Sequence, residues 1–322
     1  MDRLTIWCNA LFPDEVNEFL RKSVGEHRLI FNEERSSNLG ASGPSSTMAE
    51  ADVLFGQPAP DQLAELDHAR WVQITSAGFS RYDRPELWSR LRERGIQFTN
   101  SSDVFDEPCA QHLLAFMLGF ARALPQSMLK QLDREWSHDD MRPLTRNLKG
   151  DRVLIIGFGA IGHRLVELLD PFRLDIVAVR RTVSGDEPIT TYPSDELPRL
   201  IREADHIVNI LPASPQTERL ISRAMLESVK PESVFYNVGR GTTVDQPALI
   251  DALESGRMAG AYLDVTDPEP LPPDHPLWRT PNCYITAHTA GGHREEFPNL
   301  VNHFLENLKR FEAGEPLRNR IF

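Results

Sequence analysis

Three chemically versatile side chains each follow a strand-like segment in the second half of the chain. Arg240 comes after SVFYN, Glu269 after MAGAYL and His288 after NCYIT. An arginine can grip a carboxylate with two parallel N–H bonds, and a histidine can exchange a proton near neutral pH. A carboxylate beside the histidine favours its charged form. Together these groups would suit reduction of a carbonyl on an anionic substrate.

Each of these residues also has an ordinary structural interpretation. An arginine at a strand end is usually a surface charge, a glutamate within DPEP is usually a loop residue, and a single histidine is often structural. However, ligands of open parallel sheets bind just beyond the carboxyl ends of the strands. The shared placement of the three residues, with Asp264 beside them, therefore favours the functional interpretation.

A glycine-rich segment, GFGAIG at 157–162, follows the strand-like DRVLII and opens a helix-like run. The first glycine permits a tight turn, and the second lets backbone N–H groups approach a pyrophosphate. The third lets the helix pack closely on the strand. A purely structural glycine turn is the alternative, but the strand–turn–helix context favours a dinucleotide cofactor.

The residues after the next predicted strand bear on which dinucleotide is bound. An acidic residue there would accept hydrogen bonds from the ribose 2′-hydroxyl of NAD, but this chain has Arg180, Arg181 and Thr182. Guanidinium groups and a hydroxyl suit the 2′-phosphate of NADP. Arginine is the commoner basic residue here, so an accidental arginine is the alternative. The missing acid predicts a preference for NADP(H), with use of NAD(H) left open.

Short β-branched or aromatic runs alternate with helix-like stretches along the chain, which is typical of parallel sheets covered by helices. Five strand candidates lie in the first half, and the six in the second half equal the number in a complete dinucleotide-binding fold. The candidates are 4–8, 28–31, 52–56, 71–76 and 96–100, followed by 152–156, 175–179, 206–211, 233–237, 258–263 and 282–286.

Two further helix candidates mark the joins between these blocks, at 108–123 and 294–312. The second follows the last strand and has no partner strand of its own, so the simplest arrangement returns it to the first block. We therefore predict a discontinuous substrate-binding domain, 1–102 with 294–322, and a nicotinamide-dinucleotide-binding domain, 103–293.

Composition limits the classes of partner. The 322 residues include 35 Lys plus Arg and 47 Asp plus Glu, a formal net charge of −12, which disfavours nucleic acid and anionic membranes. The three cysteines, Cys8, Cys109 and Cys283, are widely spaced, so we expect neither a disulfide framework nor a metal site. Without a recognisable signal peptide or a long apolar segment, the expected location is cytoplasmic.

The chain resembles the D-isomer-specific 2-hydroxyacid dehydrogenase family over most of its length. The resemblance is carried by GFGAIG, by LPASPQTERLI at 211–221, by the long run at 229–282 and by ITAHTAGG at 285–292. It implies an α/β fold of two doubly wound parallel-sheet domains, one Rossmann-type for the cofactor and one flavodoxin-like for the substrate. The active site would lie in the cleft between them.

The implied reaction is hydride transfer between a nicotinamide and a small 2-oxoacid or D-2-hydroxyacid, as in glyoxylate and hydroxypyruvate reductases. The resemblance assigns Arg240 to the substrate's carboxylate and carbonyl oxygen, His288 to proton transfer, and Glu269 to a hydrogen bond with His288. The implied substrate-binding residues are Phe55, Gly56, Ala77, Gly78, Phe79, Arg240 and His288. The cofactor-binding residues are Gly157, Phe158, Gly159, Ala160, Ile161, Arg180, Arg181, Thr182, Leu211, Pro212, Thr217, Val238, Gly239, Asp264, His288 and Ala290.

The resemblance further implies a homodimer through the cofactor domain, with residues 124–147 as an arm from which Trp136 reaches toward a pocket. Two positions depart from the family: Ala287 replaces the usual proline before the histidine, which predicts a looser backbone, and Arg180 replaces the usual acid. Two alternatives stay open. One is an NAD-dependent dehydrogenase of another D-2-hydroxyacid, and the other is a non-catalytic nucleotide-sensing protein of the same fold.

Overall fold

The chain folds into two compact units in the computed structural model, which describes residues 3–38, 40 and 43–322. One unit holds the residues up to Phe105 together with Gly292–Phe322, and the other holds Asp106–Gly291. The polar, Gly/Ser-rich composition of 36–47 predicts a surface loop, and part of that stretch lies outside the described residues. Each unit contains one parallel β-sheet.

The sheet of the first unit has the strand order β2-β1-β3-β4-β5, all parallel, which is the flavodoxin-like order. Its strands are β1 (Thr5–Ala10), β2 (Arg28–Ser36), β3 (Val53–Gly56), β4 (Trp71–Ile74) and β5 (Gln97–Thr99). Its helices are α1 (Asp14–Ser23), α2 (Pro60–Leu63), α3 (Pro85–Glu93) and the first residues of α4 (Ser102–Ala121). The last helix, α11 (Glu296–Ala313), also belongs to this unit.

The sheet of the second unit has seven strands in the order β12-β11-β10-β9-β6-β7-β8, a Rossmann order with one added strand. The strands are β6 (Arg152–Ile156), β7 (Asp175–Arg180), β8 (Thr191–Pro193), β9 (His206–Asn209), β10 (Val234–Asn237), β11 (Gly260–Leu263) and β12 (Cys283–Ile285). The helices after α4 are α5 (Leu124–Leu132), α6 (His138–Met141), α7 (Ala160–Leu169), α8 (Leu197–Leu200), α9 (Arg223–Glu227) and α10 (Gln246–Glu254).

The doubly wound, two-domain α/β fold predicted from the sequence is confirmed, but the prediction of six strands in the second sheet is wrong. The missed strand, β8, has only three residues and includes Pro193. Proline lacks a ladder donor and is tolerated at a sheet edge, which is where β8 lies. Such a short, proline-containing segment carries no strand pattern.

The last helix packs on the first sheet. Leu300, Val301, Phe304 and Leu308 share one buried cluster with residues of β1, β3 and β4. The Phe304 ring stacks on Phe55, with centroids 4.2 Å apart, and on Trp71 at 5.2 Å. A helix at the end of the chain thereby completes the core of the unit formed by the start of the chain.

The described residues contain neither a membrane-spanning helix nor a cluster of metal ligands. No helix there is both long enough and apolar enough to cross a membrane. No group of three or more His, Cys, Asp or Glu side chains among those residues has a geometry that could hold a metal ion.

We expect Phe304→Ala to destabilise the first unit by about 3–5 kcal/mol, because it removes a fully buried ring and leaves a cavity. Equilibrium denaturation of the full chain, followed by circular dichroism, measures the effect. Lys309→Ala, an exposed change on the same helix, is the matched control. Equal small effects of the two variants would contradict the packing of this helix.

Candidate active site

The sequence-predicted residues of the second unit lie at the carboxyl ends of its parallel strands, which share one edge of the sheet. Gly157 follows β6, and Arg180 ends β7. Arg240, Asp264 and His288 come shortly after β10, β11 and β12. The strand pairing thus gathers residues that are more than 100 positions apart in the chain.

The glycine-rich turn fits the pyrophosphate of a dinucleotide. Gly157 has φ +91°, and a Cβ there would crowd the Ile210 carbonyl carbon at 3.2 Å. Gly159 precedes α7, whose first turn has no side-chain cap among the described residues. The backbone N–H groups of Gly159, Ala160 and Ile161 likewise have no acceptor in the described part of the chain. Free N–H groups at a helix N-terminus are a ready site for phosphate.

Two more predicted cofactor segments meet beside this turn. A Cβ on Gly239 would come within 2.6 Å of the Leu211 carbonyl oxygen, so the backbones at 211 and 239 are in close approach. Thr217 closes the Leu211 loop by donating its hydroxyl to the Pro212 carbonyl at 2.7 Å. Of the other predicted residues, Phe158 and Val238 are buried, while Arg181 and Thr182 are exposed in the loop after β7.

His288 and Glu269 form a direct pair, with Nδ1 of the imidazole 2.8 Å from Oε2 of the carboxylate. The backbone N–H of Thr266 donates to the other carboxylate oxygen at 2.9 Å. Burial opposes ionisation of Glu269, but the hydrogen bonds from His288 and Thr266 outweigh it and lower the pKa of the carboxyl. An ionised carboxylate only accepts hydrogen bonds, so Nδ1 must be the donor. Nε2 is left to exchange a proton with another molecule.

The backbone of His288 is held in the left-handed region, with φ +52°. Its N–H donates to the Asp264 carbonyl at 2.8 Å. The buried Asp264 carboxylate accepts three further bonds from the same loop: from the Thr286 hydroxyl at 2.6 Å and from the N–H groups of Thr289 at 2.8 Å and Ala290 at 3.0 Å. These hydrogen bonds hold the loop around Ala287, and the looser backbone expected from that residue stays a prediction.

Arg240 is a half-buried cation whose guanidinium can still bind an anion. Desolvation lowers the pKa of its guanidinium, and the negative charge of Glu269 partly offsets that effect. Its Nη1 donates to the Gly239 carbonyl at 2.6 Å, and within the described part of its own unit it has no ion pair with a carboxylate. Arginine stays protonated in proteins, so this side chain favours binding of an anionic group.

The loop that carries Arg240 is held by buried polar residues that the sequence analysis missed. Asn237 Oδ1 accepts hydrogen bonds from the Gly239 N–H at 3.0 Å and from Asn209 Nδ2 at 2.9 Å. The Thr243 hydroxyl donates to the Arg240 carbonyl at 2.6 Å. The sequence does contain a signal for this network, because two strands, HIVN and VFYN, each end in an asparagine. A buried asparagine requires hydrogen-bond partners, so the two could have been expected to bond to each other or to the loops beside them.

His112, on α4, is another residue that the sequence analysis missed. Its Nε2 lies 3.0 Å from the Thr286 hydroxyl and 3.7 Å from Asp264 Oδ1. Burial lowers the pKa of this imidazole despite the nearby carboxylate. Because 174 positions separate His112 from Thr286, no local pattern could have paired them.

The predicted substrate-binding residues of the first unit fall into two kinds. At the turn after β4, the carbonyls of Ala77 and Gly78 accept hydrogen bonds from Asn100 and Ser76, each at 2.7 Å. The N–H groups of Ala77, Gly78 and Phe79 have no acceptor among the described residues, which suits an anion. The side chain of Phe55, the other predicted segment, lies fully buried in the core. Gly56 is also buried, with φ +136°, and its carbonyl accepts a hydrogen bond from the Thr75 N–H at 3.2 Å.

We expect Gly241→Ala to lower the free energy of unfolding by about 1–3 kcal/mol, because its Cβ would overlap the Thr266 backbone and force the two loops apart. Gly119→Ala is the matched control, since a Cβ there meets no heavy atom within 4 Å and alanine favours a helix. Thermal and chemical denaturation compare them. A Gly241 variant as stable as the wild type would contradict the close approach.

Comparisons with known proteins identify the family. The family model for the D-isomer specific 2-hydroxyacid dehydrogenase, NAD binding domain, matches residues 114–290. The chain is 32% identical over 288 residues to glyoxylate reductase of Aeropyrum pernix, covering 86% of this chain and 84% of that one. It is 30% identical over 275 residues to hydroxyphenylpyruvate reductase of Plectranthus scutellarioides, covering 85% and 82%.

A solved structure extends the likeness to almost the whole fold. The NADPH-dependent glyoxylate/hydroxypyruvate reductase of Sinorhizobium meliloti, in complex with NADP and malonate, matches with a TM-score of 0.77 and 26% identity. The match covers 99% of this chain and 97% of that one. The glycine-rich turn at 157–162 falls inside the segment that the family model recognises. The chain therefore belongs to the D-isomer-specific 2-hydroxyacid dehydrogenase family, as an NAD(P)-dependent oxidoreductase.

Proposed function

We propose that this enzyme reduces a small 2-oxoacid, glyoxylate or hydroxypyruvate, with NADPH as its preferred reductant. The observation that carries the proposal is the 2.8 Å pair of His288 and Glu269 at the sheet edge that also bears the half-buried Arg240. The pair supplies a proton, and the arginine attracts an anionic substrate. The names of the reductases of Aeropyrum pernix and Sinorhizobium meliloti support this substrate class.

The proposed reaction divides the work between cofactor and protein. When bound, the nicotinamide supplies the hydride that becomes bonded to the keto carbon. Arg240 grips the substrate and stabilises the negative charge that develops on the carbonyl oxygen. His288 then transfers its Nε2 proton to that oxygen, while Glu269 holds the imidazole by Nδ1. In the reverse direction His288 takes the hydroxyl proton.

The cofactor assignment uses the free N–H groups at the start of α7 for the pyrophosphate and Arg180, at the end of β7, for the 2′-phosphate. The reductase of Sinorhizobium meliloti, which was solved with NADP bound, supports a 2′-phosphorylated cofactor. The N–H groups of Ala77, Gly78 and Phe79 are assigned to the substrate carboxylate. We accordingly assign residues 1–102 with 294–322 to the substrate and 103–293 to the cofactor.

The proposal also includes a homodimer formed through the second unit. The segment 124–147 supports it because several of its apolar side chains are exposed, among them Leu132 at 78% and Trp136 at 95%. Exposed apolar patches of this kind commonly mark protein–protein contacts.

The experiment that tests the proposed reaction follows oxidation of NADPH and of NADH by the purified protein. The substrates are glyoxylate, hydroxypyruvate, pyruvate, phenylpyruvate, 4-hydroxyphenylpyruvate and 2-oxoisocaproate. We expect the highest kcat/KM with NADPH and either glyoxylate or hydroxypyruvate. Faster turnover of an aromatic or branched acid would contradict the substrate assignment.

We expect His288→Gln to lower kcat by about 10²–10⁴-fold, because the proton donor is removed. Cofactor affinity, measured by quenching of protein fluorescence, should stay within about twofold of wild type. Glu269→Gln should also lower kcat, because Nδ1 of the imidazole loses the carboxylate that holds it in place. An unchanged kcat would show that Glu269 has no influence on His288.

We expect Arg180→Ala to lower kcat/KM for NADPH by at least about tenfold, with NADH changed less than twofold, because only NADPH carries the phosphate that this guanidinium would bind. Arg202→Ala, an exposed arginine in the same unit, is the control. Equal losses with both cofactors would contradict the assignment.

For the dimer, we expect light scattering to give twice the chain mass for the wild type. Leu132→Asp combined with Trp136→Asp should give the monomer, because two charges would have to be buried in the contact. Leu11→Asp, an equally simple change at an exposed apolar position of the other unit, is the control. A wild-type monomer at micromolar concentration would overturn the proposal.

A further inference from the structure

The loop after β7 folds around one of its own carboxylates. Oε1 of Glu187 accepts a hydrogen bond from the backbone N–H of Ser184 at 2.8 Å, and the Ser184 hydroxyl oxygen lies 2.9 Å from it. Oε2 accepts from the Gly185 N–H at 2.9 Å. The side chain of Glu187 is only 4% exposed, although most of the surrounding loop is exposed.

The loop therefore forms an anion-binding site, and the anion it binds is the Glu187 carboxylate of the same chain. Consecutive N–H groups at a turn, here with Gly185 at φ +90°, form a concave donor surface that binds anions. These donors, the Ser184 N–H first among them, lower the pKa of Glu187 to about 2. The carboxylate is therefore charged throughout the pH range in which the enzyme can be assayed.

The same carboxylate also faces the cation assigned to the cofactor. Nη1 of Arg180 lies 3.3 Å from Oε1 of Glu187. Arg180 ends β7, the strand whose end lies beside the adenosine ribose in folds of this type. Where most such sites carry an acid at the strand end, this chain carries a basic residue there and an acid seven positions later.

We propose that Glu187 is a specificity-determining residue, whose carboxylate competes with the 2′-phosphate of NADP(H) for Arg180 and so limits the preference for NADP(H) over NAD(H). The inference rests on the proposed function, which assigns Arg180 to that phosphate. A phosphate that approaches Arg180 meets a like charge already in place, so Glu187 must move away or bind beside it at a cost. A ribose 2′-hydroxyl brings no charge and can donate to the same carboxylate.

The test uses binding of two cofactor fragments to the full-length protein, measured by isothermal titration calorimetry at constant ionic strength. The fragments are 2′,5′-ADP, which carries the 2′-phosphate, and 5′-AMP, which lacks it. We expect Glu187→Gln to raise the affinity for 2′,5′-ADP by about fivefold or more and to leave that for 5′-AMP within twofold. Gln keeps one of the two oxygen acceptors of the loop, whereas its amide nitrogen cannot accept from the other loop N–H.

Three further variants make the result specific. In an Arg180→Ala background, Glu187→Gln should raise the affinity for 2′,5′-ADP less than it does in the wild type, because no guanidinium is left for the two anions to compete for. Glu196→Gln, which removes an exposed carboxylate that pairs with Arg199, should leave both affinities unchanged. Glu187→Ala repeats the test if the Gln variant fails to fold, as judged by circular dichroism.

The possible outcomes separate the two proposals. In one outcome, Arg180→Ala weakens the binding of 2′,5′-ADP, but removal of the Glu187 charge does not raise the affinity for 2′,5′-ADP relative to that for 5′-AMP. That result overturns the inference about Glu187 and leaves the cofactor assignment intact. If Arg180→Ala does not weaken 2′,5′-ADP, the cofactor assignment fails and the inference fails with it. Fragment binding requires no turnover, so an error in the substrate class changes neither result.

Discussion

The hydrogen bonds accepted by the buried Asp264 carboxylate are the constraint on which the rest of the site depends. A buried charge is costly unless its oxygens are satisfied, and here a single loop satisfies them. Because the Thr289 and Ala290 N–H groups and the Thr286 hydroxyl all converge on Asp264, the loop can hold His288 in a backbone conformation that non-glycine residues rarely adopt. That conformation places the imidazole against Glu269.

Charge is arranged differently at the two chemical positions of the second unit. His288 has a carboxylate partner, whereas the half-buried Arg240 has none within the described part of that unit. An unpaired, partly desolvated cation opposes folding. The loop that carries Arg240 is nevertheless held in place by neutral hydrogen bonds of the buried Asn209, Asn237 and Thr243. The arrangement keeps the attraction of the guanidinium available for an anionic ligand.

A good share of the site was predictable because its residues follow strand ends, and parallel strands bring their carboxyl ends to one edge. Arg240, Glu269 and His288 could be named from that rule, as could the glycine-rich turn. The burial of the Phe55 side chain in the core could not be predicted, because a residue type at a strand end does not reveal which face of the sheet it occupies. The strand β8 was missed because three residues with a proline show no periodicity.

The sequence by itself determined the fold class, the dinucleotide turn and the chemical groups of the site, since all of these depend on local patterns and on residue types. Tertiary structure decided which of those groups touch. The contacts of His112 with Thr286, of Asn209 with Asn237 and of Asp264 with the His288 loop join segments that are distant in the chain. Glu187 and Arg180 are close in sequence, yet their pairing depends on a turn whose N–H groups converge only when it is folded. Hydrogen bonds and ion pairs act over a few ångströms, and only the packed chain sets those distances.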